Sequence, residues 1–249
     1  MGYKKDLEEG KVHRGNFEID KIFLKSKISL IINKKVLEIG CGSGQLAKWV
    51  SPYVKFVTAI DTSKDMINYA NSTFKEKNIN FTVMDGQGLR FKKNSYDFVL
   101  SFDVLEHIPN VGKHLKEVAK VLKPNGYYLL STPNKLISLP FTILQNKSFT
   151  KHIKSHCSLL TYWALRKLFA KQGFEISFEK MDTRTEFLVN KAQKTLRCAA
   201  GVLKLINFKK LPLFLQTNFY IIAQNKEVLI KYKLVKILNM LKLKCFYDF

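Results

Sequence analysis

The chain has 249 residues, 46% of them hydrophobic and 12% aromatic, enough to bury a sizeable core and too apolar for a disordered segment. Forty-two Lys and Arg against 20 Asp and Glu leave a formal charge of +22, which suits polyanions or anionic membrane surfaces and says nothing of the fold. The four cysteines (Cys41, Cys157, Cys198, Cys245) lie far apart without a CxxC pair, which speaks against a disulfide scaffold and a structural zinc site and for a reducing compartment.

Residues 1–34 read as a helical lead-in, polar at its start, with no signal-peptide pattern. No apolar run reaches the roughly 18 residues of a membrane span, so a cytoplasmic protein is expected. From residue 35, short apolar runs rich in β-branched residues alternate with amphipathic segments. Strands are expected at 35–39, 56–60, 80–84, 96–101, 126–131, 174–178 and 218–223, and helices near 44–50, 64–77, 111–122 and 161–171. This alternation predicts an α/β fold, a doubly wound and mostly parallel seven-stranded sheet with helices on both faces. Pro124-Asn125-Gly126 is expected to stop the third of these helices and Thr161 to cap the fourth.

Two connections are longer than ordinary, 135–160 and 190–217, and read as insertions in a domain spanning 35–226. Within the second, Lys194, Arg197 and Lys204 line one side of a helical pattern, with Leu196, Ala199, Val202, Leu203 and Ile206 on the other. Residues 227–249 form a basic, apolar tail. From Phe187 to Tyr247, twelve Lys and Arg stand against one acid, Glu227, so half of the charge excess lies in the last quarter. Peripheral contact with an anionic membrane, contact with RNA, and plain solvation of a lysine-rich chain all fit that distribution.

The strongest motif is Val36-Leu37-Glu38-Ile39-Gly40-Cys41-Gly42-Ser43-Gly44-Gln45, a buried strand turning through three alternating glycines into a helix. Glycine is needed where backbone adopts positive φ or lies against a ligand. The dinucleotide fingerprint would place its third glycine at Gln45, and the Walker loop would need Gly-Lys-Ser/Thr; neither is present.

These residues resemble the first motif, E/D-x-G-x-G-x-G, of the class I S-adenosylmethionine-dependent methyltransferases, and the resemblance continues in order over roughly residues 34–180. Asp61 ends the second strand and, followed by Thr62, is the family's ribose-binding acid. Met66, in the pattern S-x-x-M, is implied to pack on the adenine face, and Asp85-Gly86 to meet the adenine amino group. Then come Tyr96-Asp97-Phe98-Val99, Ser101-Phe102-Asp103-Val104-Leu105-Glu106-His107-Ile108-Pro109 and Val121-Leu122-Lys123-Pro124-Asn125-Gly126. The central stretch is similar to the methyltransferase type 11 and ubiquinone-biosynthesis O-methyltransferase-like group. The resemblance implies a Rossmann-like sheet with an antiparallel last strand. It also implies S-adenosylmethionine as cofactor, held by Glu38, Gly40, Cys41, Gly42, Gly44, Asp61, Thr62, Met66, Asp85, Gly86 and Phe102. Singly, each has a plainer reading: Asp61 as a helix N-cap, Asp85-Gly86 as a turn, Met66 as core.

Methyl transfer from a sulfonium needs chiefly an aligned acceptor and exclusion of water, with a general base if the acceptor is a hydroxyl. His107 is the candidate base, or else it orients a loop. His156, in His156-Cys157-Ser158-Leu159-Leu160-Thr161, resembles the family's H-x-x-x-x-T segment beside the acceptor pocket; the alternative is an exposed loop histidine. Asp103, Glu106 and His107, at i, i+3 and i+4, would share a face if helical and suit a magnesium ion, although structural acids at a helix start fit the same residues. A small-molecule methyltransferase acting on an oxygen of a metabolite, lipid or saccharide is the leading reading. The charge keeps an RNA methyltransferase open, against which stand the missing Pro-Pro-aromatic motif at 101–104 and the missing Pro-Cys nucleophile. A catalytically silent cofactor-binding scaffold is the third.

Overall fold

The computed structural model describes residues 16–146, 156–183 and 207–226. The basic helical pattern at 194–206 and the tail 227–249 lie outside these residues. The strands are β1 (Lys35–Ile39), β2 (Phe56–Asp61), β3 (Ile79–Val83), β4 (Tyr96–Phe102), β5 (Leu122–Pro133), β6 (Phe174–Glu179) and β7 (Asn218–Asn225). The α-helices are α1 (Phe17–Lys25), α2 (Ile28–Ile31), α3 (Gln45–Val50), α4 (Lys64–Thr73), α5 (Val111–Val121), α6 (Lys135–Asn146) and α7 (Tyr162–Lys171). All seven strands join one sheet in the order β3-β2-β1-β4-β5-β7-β6. The first five are parallel, while β7 runs antiparallel to both β5 and β6. The fold is thus the doubly wound, mostly parallel α/β sheet with an antiparallel last strand.

The two-residue period of the strands divides the core into two layers. Leu37, Ile39, Val99, Leu130 and Ile221 face one side, covered by Leu115 and Val118 of α5 and Leu165 and Phe169 of α7. Val36, Val57, Ala59, Leu100, Leu129 and Tyr220 face the other, covered by Phe23 and Leu24 of α1, Leu46, Ala47 and Val50 of α3, and Ile67 and Ala70 of α4. The lead-in therefore supplies core. Its buried Asp20 accepts a 2.9 Å hydrogen bond from the Tyr220 hydroxyl, and Lys27 pairs with Glu179.

Thr161 caps its helix as expected, and Ser63 and Asn110 cap α4 and α5; each accepts from the amide three residues on. Two expectations change. The helix expected over 64–77 ends at Thr73, because Asn78 Nδ2 donates to the Ser51 and Val54 carbonyls and Glu76 pairs with Lys48, drawing the chain away from the helix axis. The helix expected to end before Pro124-Asn125-Gly126 does so, at Val121 with Leu122 as C-cap, but the triplet is no free turn: it forms a bulge within β5. Tyr96 pairs Leu122 and Phe98 pairs Tyr127, so the triplet lies in extra chain, with Asn125 at φ +60°. The insertion expected at 135–160 opens with α6 and is closed at its base by a parallel bridge between Asn134 and Leu160.

Candidate cofactor and acceptor site

The strand order reverses between β1 and β4, and the carboxyl ends of the parallel strands at such a switch point are where open α/β sheets bind ligands. Five chain segments meet there. After β1, Gly40, Gly42 and Gly44 take φ of +72°, +53° and +83°. A Cβ at Gly40 would lie 2.4 Å from Val104 Cγ2, and one at Gly44 would lie 2.7 Å from Phe81 Cε1. At these two positions glycine is required by backbone conformation and by close packing against the protein itself. The amides of Gly40 and Cys41 both reach the Ile60 carbonyl, at 2.8 and 3.0 Å, which folds the turn against the end of β2. Cys41 itself turns its side chain into the core.

After β2, Asp61 Oδ2 accepts from the Gly42 amide at 2.8 Å and Oδ1 from the Ser63 amide at 2.9 Å. Thr62 beside it is exposed, and Met66 is buried at 5% exposure in the first turn of α4. After β3, the Met84 amide donates to the Asp61 carbonyl, and Asp85 carries an exposed carboxylate above the buried Gly86. Glu38 is fully buried in β1, register-paired with Ala59 and Leu100. Phe102 has its ring in the core, edge-on to Phe23 at 6.1 Å, so its side chain serves packing and only its backbone stands near the strand end.

After β4, the chain makes a left-handed residue at Asp103 (φ +52°) and a short 3-10 turn, Leu105–His107. Asp103 is not part of a helical turn and does not join Glu106 and His107. Its carboxylate accepts from Asn16 Nδ2 at 2.9 Å, Ser131 Oγ at 3.3 Å and Asn218 Nδ2 at 3.4 Å, while its amide donates to the Ser131 carbonyl. Asp103 is therefore a clamp between lead-in, β5 and β7, which the sequence did not reveal. His156 takes its place: the His107 and His156 rings lie 5.0 Å apart with an interplanar angle of 31°, and His107 Nε2 is 4.0 Å from Glu106 Oε1. Glu106 is buried and its Oε2 accepts from Thr132 Oγ1 at 3.1 Å. The His156 segment is tied to this loop by the Ser158 amide on the Glu106 carbonyl (3.0 Å) and Ser158 Oγ on the Ile108 carbonyl (2.6 Å). Among the described residues, Glu106, His107 and His156 are the three whose ligand atoms, within 4.8 Å of one another, have the spacing to hold a metal ion.

These residues fit a nucleoside bearing an amino acid. The Gly40–Gly44 turn offers backbone groups, while Asp61 and Asp85 at successive strand ends offer carboxylates for ribose hydroxyls and a base amino group. Met66, buried in the first turn of α4, offers a thioether, the kind of side chain that lies well on an aromatic base. Fold and site together define a nucleoside-cofactor enzyme of the Rossmann-like class.

A family model described as a methyltransferase domain matches residues 18–177, beginning inside α1. The chain belongs to the S-adenosylmethionine-dependent methyltransferase family. It is 31% identical over 139 residues to a ubiquinone biosynthesis O-methyltransferase of Rickettsia akari, a match covering 53% of this chain and 55% of that protein. The chain thus spans about half the length of that curated relative. Among solved structures, a Haloferax volcanii methyltransferase in complex with the activator Trm112 has a TM-score of 0.64 at 14% identity, covering 90% of this chain and 97% of that one. A Haemonchus contortus phosphoethanolamine N-methyltransferase bound to S-adenosyl-L-methionine has a TM-score of 0.57 at 21% identity, covering 79% and 49%. These two likenesses concern the fold.

Proposed function

We propose that the enzyme methylates an oxygen of a small-molecule acceptor, with His107 taking the acceptor's proton. The observation that carries this reading is the His107–His156 pair, 5.0 Å apart, with His107 on the loop that follows β4 at the switch point and His156 brought against it from the excursion after β5. S-adenosylmethionine supplies an already activated methyl group, so the protein's part is to position, desolvate and deprotonate. The backbone of the Gly40–Gly44 turn with Cys41 and Glu38 holds the amino-acid end, Asp61 and Thr62 the ribose, and Met66, Asp85 and Gly86 the adenine. Glu106, buried with Oε1 4.0 Å from His107 Nε2, holds the ring in place to accept the acceptor's hydroxyl proton. His156, lying beside the exposed His107 ring, walls one side of the acceptor. The O-methyltransferase relatives support an oxygen acceptor.

No described helix is long and apolar enough to cross a membrane. We place the protein in the cytoplasm, reaching a greasy acceptor by peripheral contact. In support, Leu136, Trp163, Phe214 and Leu215 are exposed near Lys135, Lys209 and Lys210, and Trp163 stacks on Phe214 at 6.3 Å. Incubating the protein with methyl-labelled S-adenosylmethionine and fractionated lipid, saccharide and RNA pools tests the assignment. Label in an ether of a lipid or saccharide supports it. Label in RNA, or none from a protein that binds the cofactor, overturns it.

A further inference from the structure

The turn that follows β3 hangs from one helix at two points. The Asn110 amide, at the N-terminus of α5, donates to Gln87 Oε1 at 3.0 Å, and Gln87 in turn donates from its amide to Asp85 Oδ1 at 2.8 Å. One turn further along α5, His114 Nδ1 lies 3.0 Å from the Gly86 carbonyl oxygen. Gly86 is also gripped sterically: a Cβ there would stand 2.9 Å from Ile39 Cγ2 and 3.2 Å from His114 Nδ1. His114 is fully buried on the inward stripe Val111–Leu115–Val118, where an apolar residue would pack without a desolvation penalty. Its second nitrogen, Nε2, is 3.0 Å from the Tyr128 hydroxyl, which is 2.8 Å from Ser101 Oγ.

The direction of each bond follows by elimination. A carbonyl only accepts, so the ring proton is on Nδ1. The Nε2 of a neutral imidazole then accepts, Tyr128 donates to it, and Ser101 donates to the Tyr128 oxygen. Burial pulls His114 down to about 4, which keeps the ring neutral at pH 7 and the chain of bonds intact.

We propose that His114 is a positioning residue for cofactor recognition: its Nδ1–H tautomer, fixed by Tyr128, pins the Gly86 carbonyl and so aims Asp85 at the amino group of the adenine. This rests on the reading of Asp85 as the partner of that amino group. A purely structural histidine would stabilise the fold without affecting the choice of base.

The test measures, on the full chain, the dissociation constants of S-adenosylhomocysteine and of its analogue carrying unsubstituted purine in place of adenine. The wild type is expected to prefer the adenine compound about tenfold, the worth of one hydrogen bond to a charged acceptor. Asp85→Ala should bring the two constants together. His114→Leu should cut the preference to about threefold or less, and His114→Asn, whose amide nitrogen takes the Nδ1 position, should restore most of it. A preference that survives Asp85→Ala overturns the reading of Asp85. A preference that Asp85→Ala abolishes but His114→Leu leaves at the wild-type value overturns the role of His114 alone. If His114→Leu does not fold, His114→Gln, whose amide nitrogen takes the Nε2 position and leaves the Gly86 carbonyl unheld, replaces it: a preference cut to about threefold or less upholds the proposal and one at the wild-type value overturns it.

Discussion

The carboxylate of Asp61 bridges the Gly42 amide and the Ser63 amide, at 2.8 and 2.9 Å, so one side chain joins the glycine turn to the start of α4. Removing it frees two backbone donors at the place proposed for the ribose. Asp61→Ala is expected to weaken S-adenosylmethionine binding by tenfold or more in calorimetry, in keeping with about 1.5–3 kcal/mol for a hydrogen bond to a charged group. The melting temperature should change by only a few degrees. Gly42→Val, at φ +53°, should likewise lose the cofactor.

Glycines near the site are not equivalent. Gly44→Ala places a Cβ 2.7 Å from the Phe81 ring at φ +83°, whereas a Cβ at Gly88 meets nothing within 4 Å. Urea unfolding should show a loss of about 1–3 kcal/mol for Gly44→Ala from backbone strain alone. Gly88→Ala should stay within about 0.5 kcal/mol of the wild type.

If His107 is the base, His107→Ala should lower kcat by about a hundredfold or more and leave the dissociation constant of the cofactor unchanged. His156→Ala should raise KM for the acceptor more than it lowers kcat. Single-turnover kinetics with the identified acceptor separates the two effects.

Chelation offers an independent check on the same residues. A base must keep its lone pair for the substrate, and Asp103, the acid expected to complete an ion site, is engaged by Asn16, Ser131 and Asn218. Turnover is therefore expected to survive exhaustive treatment with EDTA. Loss of turnover restored by magnesium or zinc would assign Glu106, His107 and His156 to an ion instead.

The buried His114 gives stability a definite pH dependence. Its value falls from the ordinary 6.5 to about 4 on folding, so between these values the unfolded chain binds the extra proton. Stability from this group is level above about pH 7, declines as pH falls from 6.5 towards 4, and is level again below that. Between pH 7 and pH 5 the loss is about 2 kcal/mol. Asp97 and Glu76, whose carboxyls are lowered by Lys123 and Lys48, act only at more acid pH. Denaturant unfolding of wild type and His114→Asn at pH 7 and pH 5 should therefore diverge by that amount.

The sheet was legible because strand and helix periods are local: β1 begins and ends at the residues read from sequence, and the other strand starts fall within one residue, apart from β5. That strand begins at Leu122 because Pro124-Asn125-Gly126 adds length to it as a bulge, a choice made by pairing with β4. The glycine turn and Asp61 were legible because they lie in one short, ordered motif. Asp103 and His114 were not, for a common reason. Asp103 is explained by Asn16 and Asn218, 87 and 115 residues away, and His114 by Gly86, 28 residues away. On the chain, His114 is merely one position of an amphipathic stripe.

The bridge between Asn134 and Leu160, reinforced by the Lys135 amide on the Leu160 carbonyl, fastens both ends of the long excursion after β5 at a single point. The chain between residues 146 and 156 can therefore be lengthened or shortened without pulling on the strands, provided that the Ser158 bonds to the Glu106 and Ile108 carbonyls are kept. Replacing that stretch by one of another length, with both anchors kept, is expected to leave S-adenosylmethionine affinity unchanged in calorimetry.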